Sequence, residues 1–116
     1  MYSEIHRKES DGMVYDFMDI LNKAIELQAS DIHFTVAMPP ILRVRGELLP
    51  YGDEPLTPED TKEICEHLMN DEKKKIFEER GEVDFSWSIP STSRYRVNVY
   101  KQRGSYTAAL RMINVK

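Results

Sequence analysis

Between Val83 and Met112 apolar and polar residues alternate in three runs, and a period of two admits only extended strands with one buried face. Val83, Phe85, Trp87 and Ile89 alternate with Glu82, Asp84, Ser86 and Ser88. Tyr95, Val97 and Val99 alternate with Arg94, Arg96 and Asn98, and Tyr106, Ala108, Leu110 and Met112 with Thr107, Ala109 and Arg111. Turn signals over residues 90–93 and at Arg103-Gly104 join the runs into two consecutive hairpins, a three-stranded meander.

Register follows from the same pattern, because a slip of one residue turns each apolar set outward. A two-residue turn at Arg103-Gly104 pairs Tyr95 with Met112, Val97 with Leu110 and Val99 with Ala108, and it sets Arg96 directly opposite Arg111. Matching faces in the preceding hairpin set Ser86 opposite Arg96 and Asp84 opposite Asn98. Arg94, Arg96 and Arg111 then share one polar face, with Asp84 nearby. Like charges directly opposite destabilise a sheet by about 0.2–1 kcal/mol. Two readings account for their presence. Either Asp84 and Glu82, or water, offset the arginines, or the face receives an anion, since guanidinium forks suit phosphate and carboxylate.

The first two thirds read as helices around short strands. Val14, Phe17, Met18, Leu21, Ile25 and Gln28 recur at spacings of three and four, with Ile20, Ala24 and Leu27 widening the apolar face, so residues 14–28 are expected as an amphipathic helix. Residues 31–36 alternate as a half-buried strand until Met38-Pro39-Pro40 breaks it. Extended chain resumes over 41–44, turns at Gly46 and returns over 47–50. Thr57-Pro58-Glu59-Asp60 combines a capping threonine, a proline suited to the first helical position and an early acidic residue, so a helix is expected from there to about Met69. Asn70 or Asp71 caps a second, charged helix that Gly81 ends. These elements predict an α+β fold, one antiparallel sheet with helices packed mainly on one face.

Composition narrows the function classes. A chain of 116 residues fits one domain, and a formal net charge of -4 provides no global basic field for nucleic acid or an anionic membrane, so any anion site is local. The single cysteine, Cys65, rules out an intrachain disulfide and a cysteine-based zinc site. Residues 1–12 are polar and without the apolar core of a signal peptide, and are expected to form a flexible extension ahead of a domain over 13–116. No apolar run approaches the roughly 18 residues of a membrane span, so a cytoplasmic location is the expectation.

Nor do the residues supply a catalytic set. Asp31 and His33 share a strand face, but two ligands without a third make a weak metal site, so packing or capping is the preferred reading and no metal is expected. Ser30, Asp31 and His33 cannot converge on one reacting atom from adjacent positions of a strand. Cys65 and His67, two apart on a helix, point in different directions. Lys73, Lys74 and Lys75 are balanced by Glu72, Glu78 and Glu79, and Trp87 falls in the alternation of core positions. The phosphate-cradling motif Gly-x-x-x-x-Gly-Lys-[Ser/Thr] does not occur.

Six local motifs, in order, resemble the N-terminal domain of PilT-type pilus retraction ATPases within the wider secretion-ATPase family. They are Ala29-Ser30-Asp31-Ile32-His33, Pro39-Pro40-Ile41-Leu42-Arg43-Val44-Arg45-Gly46, Met69-Asn70-Asp71, Phe77-Glu78-Glu79, Glu82-Val83-Asp84-Phe85-Ser86, and Arg94-Tyr95-Arg96-Val97-Asn98 with Arg111 following. The resemblance spans roughly residues 14–113. It implies a PAS-like domain followed by a RecA-like ATPase domain with the phosphate-binding loop, in a ring of six cytoplasmic subunits that retracts type IV pili. The N-terminal domain would pack on a neighbour's ATPase domain, and an inner-membrane platform protein of the pilus would be a partner. ATP and Mg2+ would belong to the full-length protein, with no cofactor for this domain. By position, Arg96 and Arg111 would face the neighbour's phosphates, with Arg94 a lesser candidate. One position departs from the family, which usually has Asp or Asn where this chain has Arg45. The isolated chain is expected neither to bind ATP measurably nor to hydrolyse it. The alternatives are a PAS-like module that senses a small ligand and an adaptor that binds a partner through an exposed sheet edge.

Overall fold

In the computed structural model, residues 14–113 are described, and the expectation for residues 1–12 lies outside them. The elements run α1 (Phe17–Leu27), β1 (Asp31–Phe34), β2 (Ile41–Val44), β3 (Glu47–Pro50), α2 (Pro58–Leu68), α3 (Asp71–Arg80), β4 (Glu82–Ile89), β5 (Ser93–Gln102) and β6 (Ser105–Ile113). All strand pairs are antiparallel, in the order β3-β2-β1-β6-β5-β4. The meander keeps the register that the alternation demands, with Val97 opposite Leu110 and Phe85 opposite Val97. β1 lies between β2 and β6, so the earliest strand pairs with the latest.

Successive partners build a continuous apolar row, Leu42–Ile32–Leu110–Val97–Phe85, across five strands, and every member is buried. A parallel row, Phe34–Ala108–Val99–Val83, lies two residues along and is also buried. The helices cover this face. Phe17 of α1 meets Phe34 at 5.7 Å between ring centroids, His67 of α2 meets Trp87 at 6.3 Å, and Phe77 of α3 meets Tyr106 at 5.1 Å. Each large apolar side chain buried in this layer contributes about 1.5–3 kcal/mol. The chain is therefore α+β, with its helices on one side of one sheet. No helix among the described residues is long and apolar enough to cross a membrane.

The structure corrects two boundaries and decides a third between its two stated candidates. α1 begins at Phe17 rather than near Val14, because the Asp16 carboxylate caps it by accepting from the backbone N–H of Met18 at 2.9 Å and of Asp19 at 3.3 Å. Its buried stripe is Ile20, Leu21 and Ala24, while Met18 and Leu27 are exposed. β1 stops at Phe34 instead of Val36, since Ala37 takes a left-handed φ of 74° and Val36 forms a lone parallel bridge to Leu56. Asn70 caps α3 by accepting from Lys73 N–H at 2.9 Å, and Gly81, at φ 82°, ends it.

Candidate anion-facing site

The face of the sheet opposite the helices carries the charges. One residue over from the buried row runs a second one, Arg43–Asp31–Arg111–Arg96–Ser86, each member directly opposite the next. The same pleat that sends Leu42, Ile32, Leu110, Val97 and Phe85 into the core sends this row to the open side. Arg96 stands opposite Arg111 and Ser86 opposite Arg96, as the alternation requires. The guanidinium side chains reach into solvent, 75% exposed for Arg111 and 57% for Arg96. Facing residues of this kind have Cβ atoms about 4.5–5.5 Å apart, close enough for two guanidiniums to grip one phosphate.

Carboxylates flank the pair on both sides. Arg96 Nε lies 3.9 Å from Asp84 Oδ1, and Arg111 Nε lies 3.3 Å from Asp31 Oδ1. Asp84 therefore acts as the nearby acid that the sequence placed there, opposite Asn98 and diagonal to Arg96. Arg94 shares the face two residues along β5, opposite Ser88 and Ile113, one row removed from the pair. His33 sits between Ile41 and Ala109, half-buried. Among the described residues no group of three or more His, Cys, Asp or Glu could hold a metal ion.

Two members of the row escaped the sequence reading. Asp31 had only a packing or capping expectation, yet it is the anionic neighbour of Arg111, and Arg43 flanks it on the other side with Nε at 3.6 Å from Oδ2. The signal was the alternation of β1 and β2, which fixes the face these residues occupy but not the strand beside them. Cys65 and His67 diverge: Cys65 is buried, and desolvation, with Glu66 adding, pushes its thiol up to about 12, while His67 packs edge-on to Phe17 at 5.4 Å.

No family model matches the chain. It is 34% identical over 101 residues to the type IV pilus retraction ATPase PilT of Pseudomonas aeruginosa, covering 87% of this chain and 29% of that protein. The type IV pilus ATPase PilU of the same organism is 33% identical over 98 residues, 84% of this chain and 26% of PilU. The crystal structure of the pilus retraction motor PilT with bound ADP matches with a TM-score of 0.80 and 42% identity, over 87% of this chain and 30% of that one. The ATPase DotB of Legionella pneumophila has the same fold, with a TM-score of 0.73 at 24% identity over 95% of this chain and 32% of DotB. The chain thus spans under a third of each of these relatives. In sequence and fold together, the chain is a homologue of the N-terminal region of the type IV pilus retraction ATPase PilT.

Proposed function

We propose that this chain is the N-terminal domain of a hexameric ATPase that powers type IV pilus retraction, and that it offers Arg96 and Arg111 to ATP bound by the neighbouring subunit. The observation that carries the reading is the side-by-side placement of these two arginines on the open face of a sheet homologous to that of PilT. Two guanidiniums gripping one phosphate would offset the charge that develops as the phosphoryl group transfers. Arg94, one row away, would serve the edge of the same contact. The open face would pack on the neighbour's RecA-like domain, so the nucleotide would sit between subunits and its state would set how firmly the two dock. ATP and Mg2+ would be held by the ATPase domain, the domain alone would be inactive, and the ring would work at the cytoplasmic side of the inner membrane against the pilus platform protein.

The test uses the full-length protein. Arg96→Ala and Arg111→Ala are each expected to lower ATPase activity by about 10³-fold or more, in the range of an arginine supplied in trans, with the unfolding midpoint of the domain unchanged. Full activity in both variants would end the reading. The native reading frame is expected to carry the phosphate-binding loop beyond Lys116, and a stop codon there would leave the adaptor or sensor alternatives.

A further inference from the structure

Asp31 occupies a place that sheet pairing alone creates. β2 sets Arg43 opposite it on one side and β6 sets Arg111 opposite it on the other. Its carboxylate takes one guanidinium on each oxygen, Arg111 Nε at 3.3 Å from Oδ1 and Arg43 Nε at 3.6 Å from Oδ2. Ser30 Oγ donates to the same Oδ2 at 2.7 Å. The Asp31 side chain is only 15% exposed, against 75% for Arg111. A short carboxylate held from both sides is a fixed point in the sheet. A long exposed arginine is not, unless something anchors it.

The anchor reaches Arg111 at a telling atom. Nε lies at the root of the guanidinium, so a contact there sets the plane of the group and leaves its two terminal nitrogens unused by that contact. Those two nitrogens form one side of the fork that matches two oxygens of a phosphate. Arg43 is committed elsewhere, for its Nη1 donates to the Gly46 carbonyl at 3.3 Å in the turn after β2. It braces Asp31 from the turn. Arg96 has a looser counterpart in Asp84, at 3.9 Å with both side chains more than half exposed. The Asp31 charge also offsets the repulsion between Arg96 and Arg111, which stand directly opposite each other.

The geometry points to Asp31 as a positioning residue that holds the Arg111 guanidinium by its Nε and turns its terminal nitrogens toward a nucleotide phosphate, with Ser30 and Arg43 locking Asp31 in turn. This deepens, and rests on, the reading of Arg111 as phosphate-facing. It extends the site from the meander to β1 and β2, so an interior strand of the sheet, β1, sets the aim of an arginine on its neighbour β6.

In the full-length protein, Asp31→Asn keeps the shape of the side chain and removes its charge. It is expected to lower kcat for ATP about 10-fold, the scale on which loss of an orienting partner acts, while KM changes less than about 2-fold. The double variant Asp31→Asn/Arg111→Ala is expected to be no slower than Arg111→Ala alone. If Arg111→Ala is slow but Asp31→Asn is normal, or if the losses add, the positioning role is overturned and the phosphate-facing reading survives. A normal rate in Arg111→Ala defeats both. One readout is independent of turnover: in NMR spectra of the chain, the Arg111 Nε–Hε proton is expected to exchange slowly with water and to lose that protection in Asp31→Asn. Unaltered exchange overturns the proposal. Should Asp31→Asn fail to fold, Ser30→Ala loosens the carboxylate without removing it and is expected to weaken the same protection, and no change there is equally fatal.

Discussion

Arg45 and Arg103 both adopt left-handed backbone, at φ 50° and 55°, and each precedes a glycine, Gly46 at φ 81° and Gly104 at φ 82°. Two successive positive φ angles across a two-residue loop are what a type I′ hairpin turn requires, and its first position suits Asn, Asp or Gly because an ordinary Cβ crowds the following carbonyl there. Arg45 keeps the turn at a cost that Asp, Asn or Gly would not carry. Arg45→Asn is expected to raise stability by about 0.5–1 kcal/mol, read as a shift of the urea midpoint at constant slope. An unchanged midpoint would mean that the Arg45 side chain makes a compensating contact. The turn at Arg103-Gly104 was legible because two alternating strands converge on it. The role of Asp31 was not, since its partner Arg111 lies 80 positions away.

At the scale of elements, the start of α2 shows how much four residues can specify. The Thr57 backbone N–H donates to Asp60 Oδ2 at 2.9 Å while the Asp60 N–H donates to Thr57 Oγ1 at 3.1 Å, a reciprocal capping box with Pro58 inside it. Asp60 is buried, so the box also keeps a carboxylate hydrogen-bonded away from water. Thr57→Ala is expected to cost about 1–2 kcal/mol in an unfolding titration and Thr57→Ser much less. Equal losses in the two variants would place the effect in the threonine methyl rather than in the hydroxyl. α1 was less legible for a physical reason. Its apolar face, Phe17, Met18, Ile20, Leu21, Ala24, Ile25 and Leu27, is wider than the strip the sheet covers, so periodicity identified an amphipathic helix without identifying the stripe that Ile20, Leu21 and Ala24 bury.

At the scale of the whole molecule, the core that unites the helices with the sheet contains a titratable group. Cys65 is buried against that core, and its thiol is raised from 9.0 to about 12, first by desolvation and then by Glu66. Below about pH 9 the thiol is protonated in folded and unfolded chains alike and has no influence on the balance between them. As pH rises from about 9 to 12 the unfolded chain releases a proton that the folded chain keeps, so stability falls, by up to about 1.4 kcal/mol per pH unit. Burial also raises the hydroxyls of Tyr15 and Tyr95, which steepens the fall at the alkaline end. Thermal melts are therefore expected to show a steeper loss above pH 9 in the wild-type chain than in Cys65→Ala. Parallel curves would exclude the thiol as the cause.

The amino-acid sequence by itself determined the meander, its register, the facing of Arg96 and Arg111, and the cap of α2. These depend on near neighbours, where a period of two, a two-residue turn and a capping quartet leave little choice. Only the tertiary structure decided that β1 lies between β2 and β6, and hence that Asp31 stands between Arg43 and Arg111. A four-residue strand such as β1 states which of its faces is apolar. It does not state which strand lies beside it, because that choice comes from burying all the apolar rows in one core at once.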